Sequence, residues 1–395
     1  MKILVLNSGS SSIKYALFDK QDYKVLISGV IESIAETQSI HRYHYEQHAQ
    51  QSSLLIKNHA QGLAAIFQLL SDLHLITNIS DLLCIGHRVV HGGEQFCQPT
   101  LINDAVLAAI KRMIPLAPLH NPANITGIEA ATAYAQGIPQ VAVFDTAFHQ
   151  SMPTHAYRYA VPQSWYTDKG VRRYGFHGTS HFYVAKKAAQ YLAKPVSELN
   201  MITLHLGNGA SIAAIAQGKS IDTTMGMTPL EGVMMGTRCG DLDPAVIFYL
   251  NRQGLSDAAI ETALNKQSGL KGICGVNDMR TVHTMAEAGD EAAQLALAMY
   301  CYRIKKYIGA YFAVLGHVDA LVFTGGIGEH DAWLRQSCCA DLTVLGIAVD
   351  KQKNAQAQGA LTAIQPTGFA LEILVIATDE ELEIAQQAAL CVQEI

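Results

Sequence analysis

Apolar residues fall along this chain in short runs bounded by Gly, Asn, Asp and Pro, with stretches of helical spacing between them. Runs of this kind read as strands, and they predict strands at 2–6, 14–18, 82–86, 141–144, 201–206, 211–215, 320–324 and 371–377. The spacing predicts helices at 60–74, 104–114, 291–315 and 380–392. Strands that alternate with helices are the signature of an α/β fold. The longest helix carries an apolar stripe at Leu297, Cys301, Ile304, Ile308, Tyr311 and Leu315, with Arg303, Lys305 and Lys306 largely off it. A stripe says only that something covers it, so a core helix and a subunit interface both stay open.

One pattern recurs. LVLNSGSSSIKYALFD at 4–19 is a strand, a tight turn of small polar residues, and a second strand, and TLHLGNGASIAAIAQGK at 203–219 repeats the arrangement. Two such hairpins some 200 residues apart suggest two similar domains, although Gly/Ser hairpins are common. Between them the polar stretch 36–53 contains His41, His44 and His48. That spacing could suit a metal, but no acid or cysteine ligand stands beside it, and a solvated hairpin is the better reading.

A length of 395 residues is natural for two domains. A net charge of −6 and the absence of any run of five Lys/Arg argue against a nucleic-acid partner. The first residues start directly on a strand-like run with no secretory pattern. The uncharged stretch 200–218 contains His, Asn and Gly and is wrong for a membrane helix. Eight cysteines without CxxC spacing read as free thiols of a reducing cytosol, which makes a cytoplasmic location the expectation.

Several segments carry chemistry. NSGSSSIK, Asn7 to Lys14, offers hydroxyls, approachable backbone N–H groups and a lysine, all suited to phosphate; it is not a Walker A motif. HLGNGAS, His205 to Ser211, is a second such turn, and FTGGIGEH, Phe323 to His330, is a Gly-rich turn before a helix expected from Asp331. HRVVHGGE and GTRCGDLDP place Arg88 and Arg238 where a fork for carboxylate or phosphate would stand. Asp145 ends an apolar strand in VFDTAFH, where α/β proteins place ligands. His177 lies in the Gly-flanked GFHGTSH, and LVIATDEEL ends a strand on Asp379, Glu380 and Glu381, hard oxygens that suit Mg²⁺. A phosphate cradle, a metal site and cations for the equatorial oxygens together describe phosphoryl transfer.

These segments, with PLAPLHNP and MGMTPLEG, fall end to end in the order of the acetate kinase family, which the chain resembles. The resemblance implies a duplicated actin-like (ribonuclease H-like) α/β fold with an interdomain active-site cleft. It implies a first domain of 1–148 plus 381–395 and a nucleotide-binding second domain of 149–380 that also forms a homodimer. It implies Mg²⁺, with Mn²⁺ as a possible substitute, on Asn7 and Glu380. ATP or ADP would lie against Lys14, His205, Leu206, Gly207, Asn208, Gly209, Asp278, Met279, Arg280, Gly326, Ile327, Gly328, Glu329 and His330. Arg88 would grip the acetate carboxylate, with Val90, Leu119, Phe176 and Pro229 around its methyl group. Arg238 and His177 would stabilise the transferring phosphoryl, and Asp145 would be the catalytic carboxylate. A carboxylate acceptor is already ionised at neutral pH, so Asp145 is read as orienting and electrostatic rather than as a base. The chain departs from the family at Cys239, where Ser is usual, and at Asp379, where Asn is usual, which leaves open which acid reaches the metal.

The implied reaction is reversible ATP-dependent phosphorylation of acetate to acetyl phosphate. Propionate kinases share every motif, but have Ala where this chain has Val90, and Val90 favours the smaller acid. Butyrate kinases are typically shorter. A nucleotide-driven chaperone-like or filament-forming protein on the same fold would need neither the carboxylate-gripping arginine nor the small apolar pocket.

Overall fold

A computed structural model describes residues 1–393. The chain divides into two compact units, Met1–Phe148 with the segment that begins at Asp379, and His149–Thr378. The second boundary lies two residues earlier than expected, so Asp379 and Glu380 stand with the first unit. Asp379 belongs to the helix it starts: its Oδ1 accepts from Leu382 N at 2.9 Å.

The first unit holds strands β1 (Lys2–Ser8), β2 (Ile13–Asp19), β3 (Val25–Glu32), β4 (Ser39–Tyr45), β5 (His48–Leu54), β6 (Leu82–Val89), β7 (Thr100–Leu101) and β8 (Gln140–Phe144). They form one sheet in the order β5-β4-β3-β2-β1-β6-β8-β7. Every residue from Ile3 to Leu6 is fully buried because both sheet faces are covered, which is why KILVL reads as a continuous apolar run rather than an alternation. Leu4 and Leu6 pack with Leu63, Ile66, Phe67 and Leu70 of the helix His59–Asp72. Ile3 and Val5 face the other way, against Ile384, Ala385, Ala388 and Ala389 of the helix Glu380–Gln393.

The second unit holds β9 (Asn200–Leu206), β10 (Ala210–Ala216), β11 (Lys219–Thr223), β12 (Ala320–Thr324), β13 (Leu361–Ala363) and β14 (Glu372–Ile376), in the order β11-β10-β9-β12-β14-β13. Set beside β3-β2-β1-β6-β8-β7, the match is strand for strand. Each sheet starts with an antiparallel meander, continues with two parallel neighbours and ends on an antiparallel edge strand. The repeat visible in the two hairpins is therefore a repeat of whole sheets. The helix Gly178–Tyr191 packs on β9, β12 and β14. The striped helix Glu291–Leu315 packs on β9, β10 and neighbouring helices of its own unit, so Leu297, Cys301, Ile304, Ile308 and Tyr311 are core.

Two expectations are corrected. The stretch 36–53 does form the hairpin β4–β5, but His41 is not solvated: it is buried, and its Nε2 lies 2.9 Å from the hydroxyl of Tyr15. The helix expected from Asp331 already has a helical turn before it, Gly325–His330, with Thr324 at its N-cap position but no side-chain cap. Among the described residues no helix is long and apolar enough to cross a membrane, and the eight cysteines are unbonded.

Candidate active site

In the first unit the functional side chains gather at the C-terminal ends of parallel strands. Asn7 is near the end of β1, Arg88 near the end of β6, and Asp145 directly follows β8. A helix of the PLAPLHNP segment, Asn121–Tyr134, fastens these ends. Asn124 donates to Ser8 O at 2.9 Å and accepts from Val90 N at 3.1 Å, tying β1 to the residue after β6. Asn121 holds His91 through both backbone groups, at 3.1 Å each.

Arg88 and Asp145 form the centre of this half. Nε of Arg88 donates to Oδ1 of Asp145 at 3.0 Å and Nη2 donates to Oδ2 at 2.6 Å. Glu380 Oε2 lies 3.7 Å from the same Nε. Asp145 is 1% exposed; burial pushes its carboxyl above the usual carboxylate range, and Arg88 opposes the shift. His120, just before the Asn121 helix, also acts on Asp145 with its charge. Lys14 pairs with Glu381 at 2.5 Å. The three acids thus separate: Asp379 caps the helix, Glu381 answers Lys14, and Glu380 faces the arginine. Val90 is buried and Leu119 is exposed on this unit.

Among the described residues no group of three or more His, Cys, Asp or Glu could by itself hold a metal. The Glu380 carboxylate and the Asn7 amide offer hard oxygens, the donor type that Mg²⁺ takes; that cation keeps several waters and binds through one or two carboxylates plus substrate phosphates.

In the second unit the loop 225–241 carries Pro229 and Arg238. Arg173 braces it, donating to Thr224 O at 2.9 Å, Met225 O at 3.1 Å and Glu231 at 2.6 Å. Asp241 closes the other end, taking the Tyr307 hydroxyl at 2.6 Å and Gly232 N at 2.9 Å. Within this frame Arg238 Nη1 donates to Pro229 O at 2.7 Å. The half-buried Arg238 has no carboxylate partner among the described residues; burial alone acts on it, lowering its pKa. A Cβ on Gly209 would stand 3.0 Å from Arg238 Nη2 and 3.5 Å from His177 Nε2, so the glycine leaves open the spot where the two side chains converge. A Cβ on Gly236 would run into the Asn208 side chain. His177 itself has left-handed backbone angles, φ 56° and ψ 24°, at the N-cap of the helix Gly178–Tyr191. A histidine held there marks a site that the surroundings over-determine. Its ring stacks on His205 with centroids 4.4 Å apart.

From Asn208 the site continues. Asn277 Nδ2 donates to Asn208 Oδ1 at 3.1 Å, and the next residues, Asp278, Met279 and Arg280, line a cleft of about 580 Å³ together with Gly326, Ile327 and His330. Two segments read as nucleotide-binding, some 50 residues apart in sequence, thus meet in one cleft. Others of that set do not line it. Leu206 is fully buried. Gly328 gives its carbonyl to Arg335 at 2.9 Å. Glu329 spends its carboxylate on Gly325 N at 3.0 Å and Thr378 N at 3.1 Å. Asp278 caps the helix Met279–Glu287 and is held to about 2 first by its hydrogen bond from Arg280. Phe176 is buried with its carbonyl 2.9 Å from His149 Nε2, and the Cys239 thiol donates to Gly240 O at 3.1 Å.

A profile of the acetokinase family matches residues 2–386. The chain belongs to the acetokinase family. Within it, the acetate kinase of Sulfurovum sp. (strain NBC37-1) is 53% identical over 397 residues, spanning 100% of both chains. The acetate kinase of Nitratidesulfovibrio vulgaris (strain DP4) is 52% identical over 394 residues, covering 98% of each. Among solved structures, acetate kinase of Porphyromonas gingivalis superposes with TM-score 0.94 at 43% identity and 99% coverage of both chains. A propionate kinase of Francisella tularensis superposes with TM-score 0.92 at 44% identity and 98% coverage of both. The paired sheets of this acetokinase are accordingly the duplicated actin-like fold.

Some residues around these groups have a place in the motifs but no role that the motifs reveal: His120, His181 and Ser211 lie within PLAPLHNP, GFHGTSH and HLGNGAS, and Asn124 lies two residues beyond the first of them. A polar residue inside an otherwise buried apolar strand, as Thr203 and Ser211 are, is the available clue, because a buried polar group requires a partner.

Proposed function

We propose that the chain transfers the terminal phosphoryl group of ATP to acetate, reversibly, giving acetyl phosphate and ADP. The observation that carries this reading is Arg238, a half-buried cation with no acid partner among the described residues, converging with His177 on the space above Gly209. Such a cation needs an anion, and the cleft lined by Met279, Arg280, Gly326 and Ile327 has the size for a nucleoside.

The acceptor half follows from Arg88. A guanidinium has two forks, one formed by Nε and Nη2, the other by Nη1 and Nη2. Asp145 occupies the first and leaves the second for the carboxylate of acetate. Asp145 therefore aims Arg88 rather than removing a proton, since acetate arrives ionised. One acetate oxygen then attacks the γ-phosphorus in line as the bond to the β–γ bridging oxygen breaks, and ADP leaves with that electron pair. Arg238 and His177 bind the equatorial oxygens, and Lys14 lies near the phosphate chain. Asn7 and Glu380 are the residues that would hold Mg²⁺, or Mn²⁺ in its place. When bound, the cation neutralises charge on the β- and γ-oxygens.

The decisive assay traps acyl phosphate as hydroxamate across acids of one to four carbons. Acetate should be the best substrate and propionate slower. ATP turnover without any acid, or no trapped product with any of them, overturns the reading. Propionate as preferred substrate is the second reading, favoured by the likeness to the Francisella enzyme. Val90 separates the two. Its backbone N is pinned by Asn124, one residue beyond the strand that carries Arg88. Val90→Ala should shift preference toward propionate roughly 10-fold, the scale of one methylene in an apolar pocket, with the ATP KM unchanged. An unmoved acetate-to-propionate ratio in the folded variant removes Val90 from the pocket.

The acids at the helix start are told apart by metal titration. Glu380→Ala should raise the Mg²⁺ concentration needed for half-maximal activity. Glu381→Ala should move it much less and act through Lys14 instead. The opposite order reverses the assignment. A homodimer is proposed through the second unit. Its helix Ala245–Arg252 buries none of its residues, and Leu242, Phe248, Tyr249 and Leu255 stand exposed on or beside it. A monomer by light scattering at micromolar concentration would refute this.

A further inference from the structure

A chain of hydrogen bonds runs from His177 into the core of the second unit. Its Nδ1 lies 2.8 Å from Ser211 Oγ. The same Oγ lies 2.8 Å from His181 Nε2, and His181 Nδ1 lies 2.7 Å from Thr203 Oγ1. Thr203, His181 and Ser211 are all fully buried. The chain links β9, β10 and the helix Gly178–Tyr191, three elements packed on one another.

We infer that Thr203, His181 and Ser211 fix the tautomer of His177, so that Nδ1 is an acceptor and Nε2 presents its N–H to the transferring phosphoryl group. This rests on the proposed role of His177 at the phosphoryl group and adds the mechanism that prepares it. A hydroxyl has one hydrogen. Ser211 is fully buried and its Oγ touches two ring nitrogens; accepting from both would leave its hydrogen without an acceptor, so it donates to one and accepts from the other. Desolvation keeps His181 neutral, and the charges of His149 and His205 act in the same direction, so His181 also has one N–H. With a neutral His177, only two arrangements then satisfy the whole chain. In one, Thr203 donates to His181, His181 Nε2–H donates to Ser211, and Ser211 donates to Nδ1 of His177, which leaves the His177 proton on Nε2. In the other, every bond is reversed and Nε2 carries a lone pair.

The outer end decides between them. His177 Nε2 and Arg238 Nη2 converge on the open spot above Gly209. Phosphoryl oxygens accept hydrogen bonds, so the lone pair would repel the group that Arg238 attracts, while the N–H adds a second donor. The arrangement also explains why apolar strands carry Thr203 and Ser211 at full burial. Ser211 and His181 are positioning residues; they act through His177.

The test is nitrogen-15 NMR of the full-length protein with labelled histidine, together with hydroxamate kinetics. The expected spectrum shows His177 protonated at Nε2 and bare at Nδ1. A bare Nε2 with a protonated Nδ1 overturns the inference, whatever acid the protein phosphorylates. Absence of acyl phosphate in the presence of the expected spectrum would instead count against the proposed function. Ser211→Ala should lower kcat about 10–100-fold, the scale of losing a group that orients a functional histidine. It should also give His177 a mixture of tautomers, with the ATP KM within twofold of wild type. Ser211→Thr, which keeps the hydroxyl, should restore both kcat and the single tautomer. If Ser211→Ala folds and changes neither readout, the serine only packs and the inference fails. If Ser211→Ala does not fold, the wild-type and Ser211→Thr spectra decide on the same criterion.

Discussion

Arg238→Ala should lower turnover by about 10³–10⁵, the range for removing an arginine that meets transition-state charge, while acetate and ATP KM change little. The residue offers nothing structural to lose except the bond to Pro229 O, so the folded variant should melt close to wild type. Arg88→Ala should be as inactive but should differ in two ways. Its acetate KM rises, because a ground-state contact is gone. Its first unit also loses stability, by up to about 3–5 kcal/mol, because Asp145 stays buried without its counter-charge. The Arg88→Ala/Asp145→Ala double variant should regain part of that stability and none of the activity. Urea unfolding with steady-state kinetics on the three variants checks this. Equal stability of Arg88→Ala and Arg238→Ala would mean that the ion pair is no structural element.

Mild acid should unfold the protein steeply. His87 and His91 in the first unit and His149 in the second are pushed down to about 4, chiefly by burial, and His181 falls well below its usual value. In the unfolded chain each titrates near 6.5. Below that pH the unfolded chain takes up protons that the folded one refuses, so the stability contributed by neutral burial is complete above 6.5 and drains as pH falls toward 4. Each such proton contributes about 1.4 kcal/mol per pH unit to the slope. With two of these histidines per unit, each unit should lose about 2–3 kcal/mol between pH 6 and 5. Urea midpoints across pH 5–7 measure this, and a flat profile would mean that these rings are charged or hydrated in the folded state.

The elements legible in the sequence are those whose burial is dictated locally. KILVL and ALVFT are buried on both faces, and the 25-residue helix presents one apolar stripe. The edge strand β5 is illegible for the opposite reason: His48–Leu54 is polar because it lies exposed, so no hydrophobic period marks it. The helix Gly178–Tyr191 hides behind a left-handed His177 with no side-chain cap and an Ala-rich buried face. In the site, the motifs pointed to Arg88, Asp145, His177 and Arg238. They could not show that Asp145 already holds one fork of Arg88, that Glu329 is turned to backbone, or that Ser211 joins two histidines. Those facts depend on pairings across 57, 49 and 30–34 residues, and spacing says nothing at that range.

The helix Glu380–Gln393 completes a sheet whose strands were all synthesised before residue 145. It approaches so closely that a Cβ on Gly86 would stand 2.9 Å from Ile384. At about 5–20 residues per second, roughly 10–50 s separate the last strand of that sheet from the helix that roofs it. Throughout that interval Ile3, Val5, Phe18 and Val141 lack the cover this helix gives them, and the second unit is itself completed only at Thr378, just before the helix begins. The earlier half of a nascent chain therefore waits with an open sheet face until almost the whole protein has been made. Clipping the last dozen residues should release the front of the molecule and leave the middle folded.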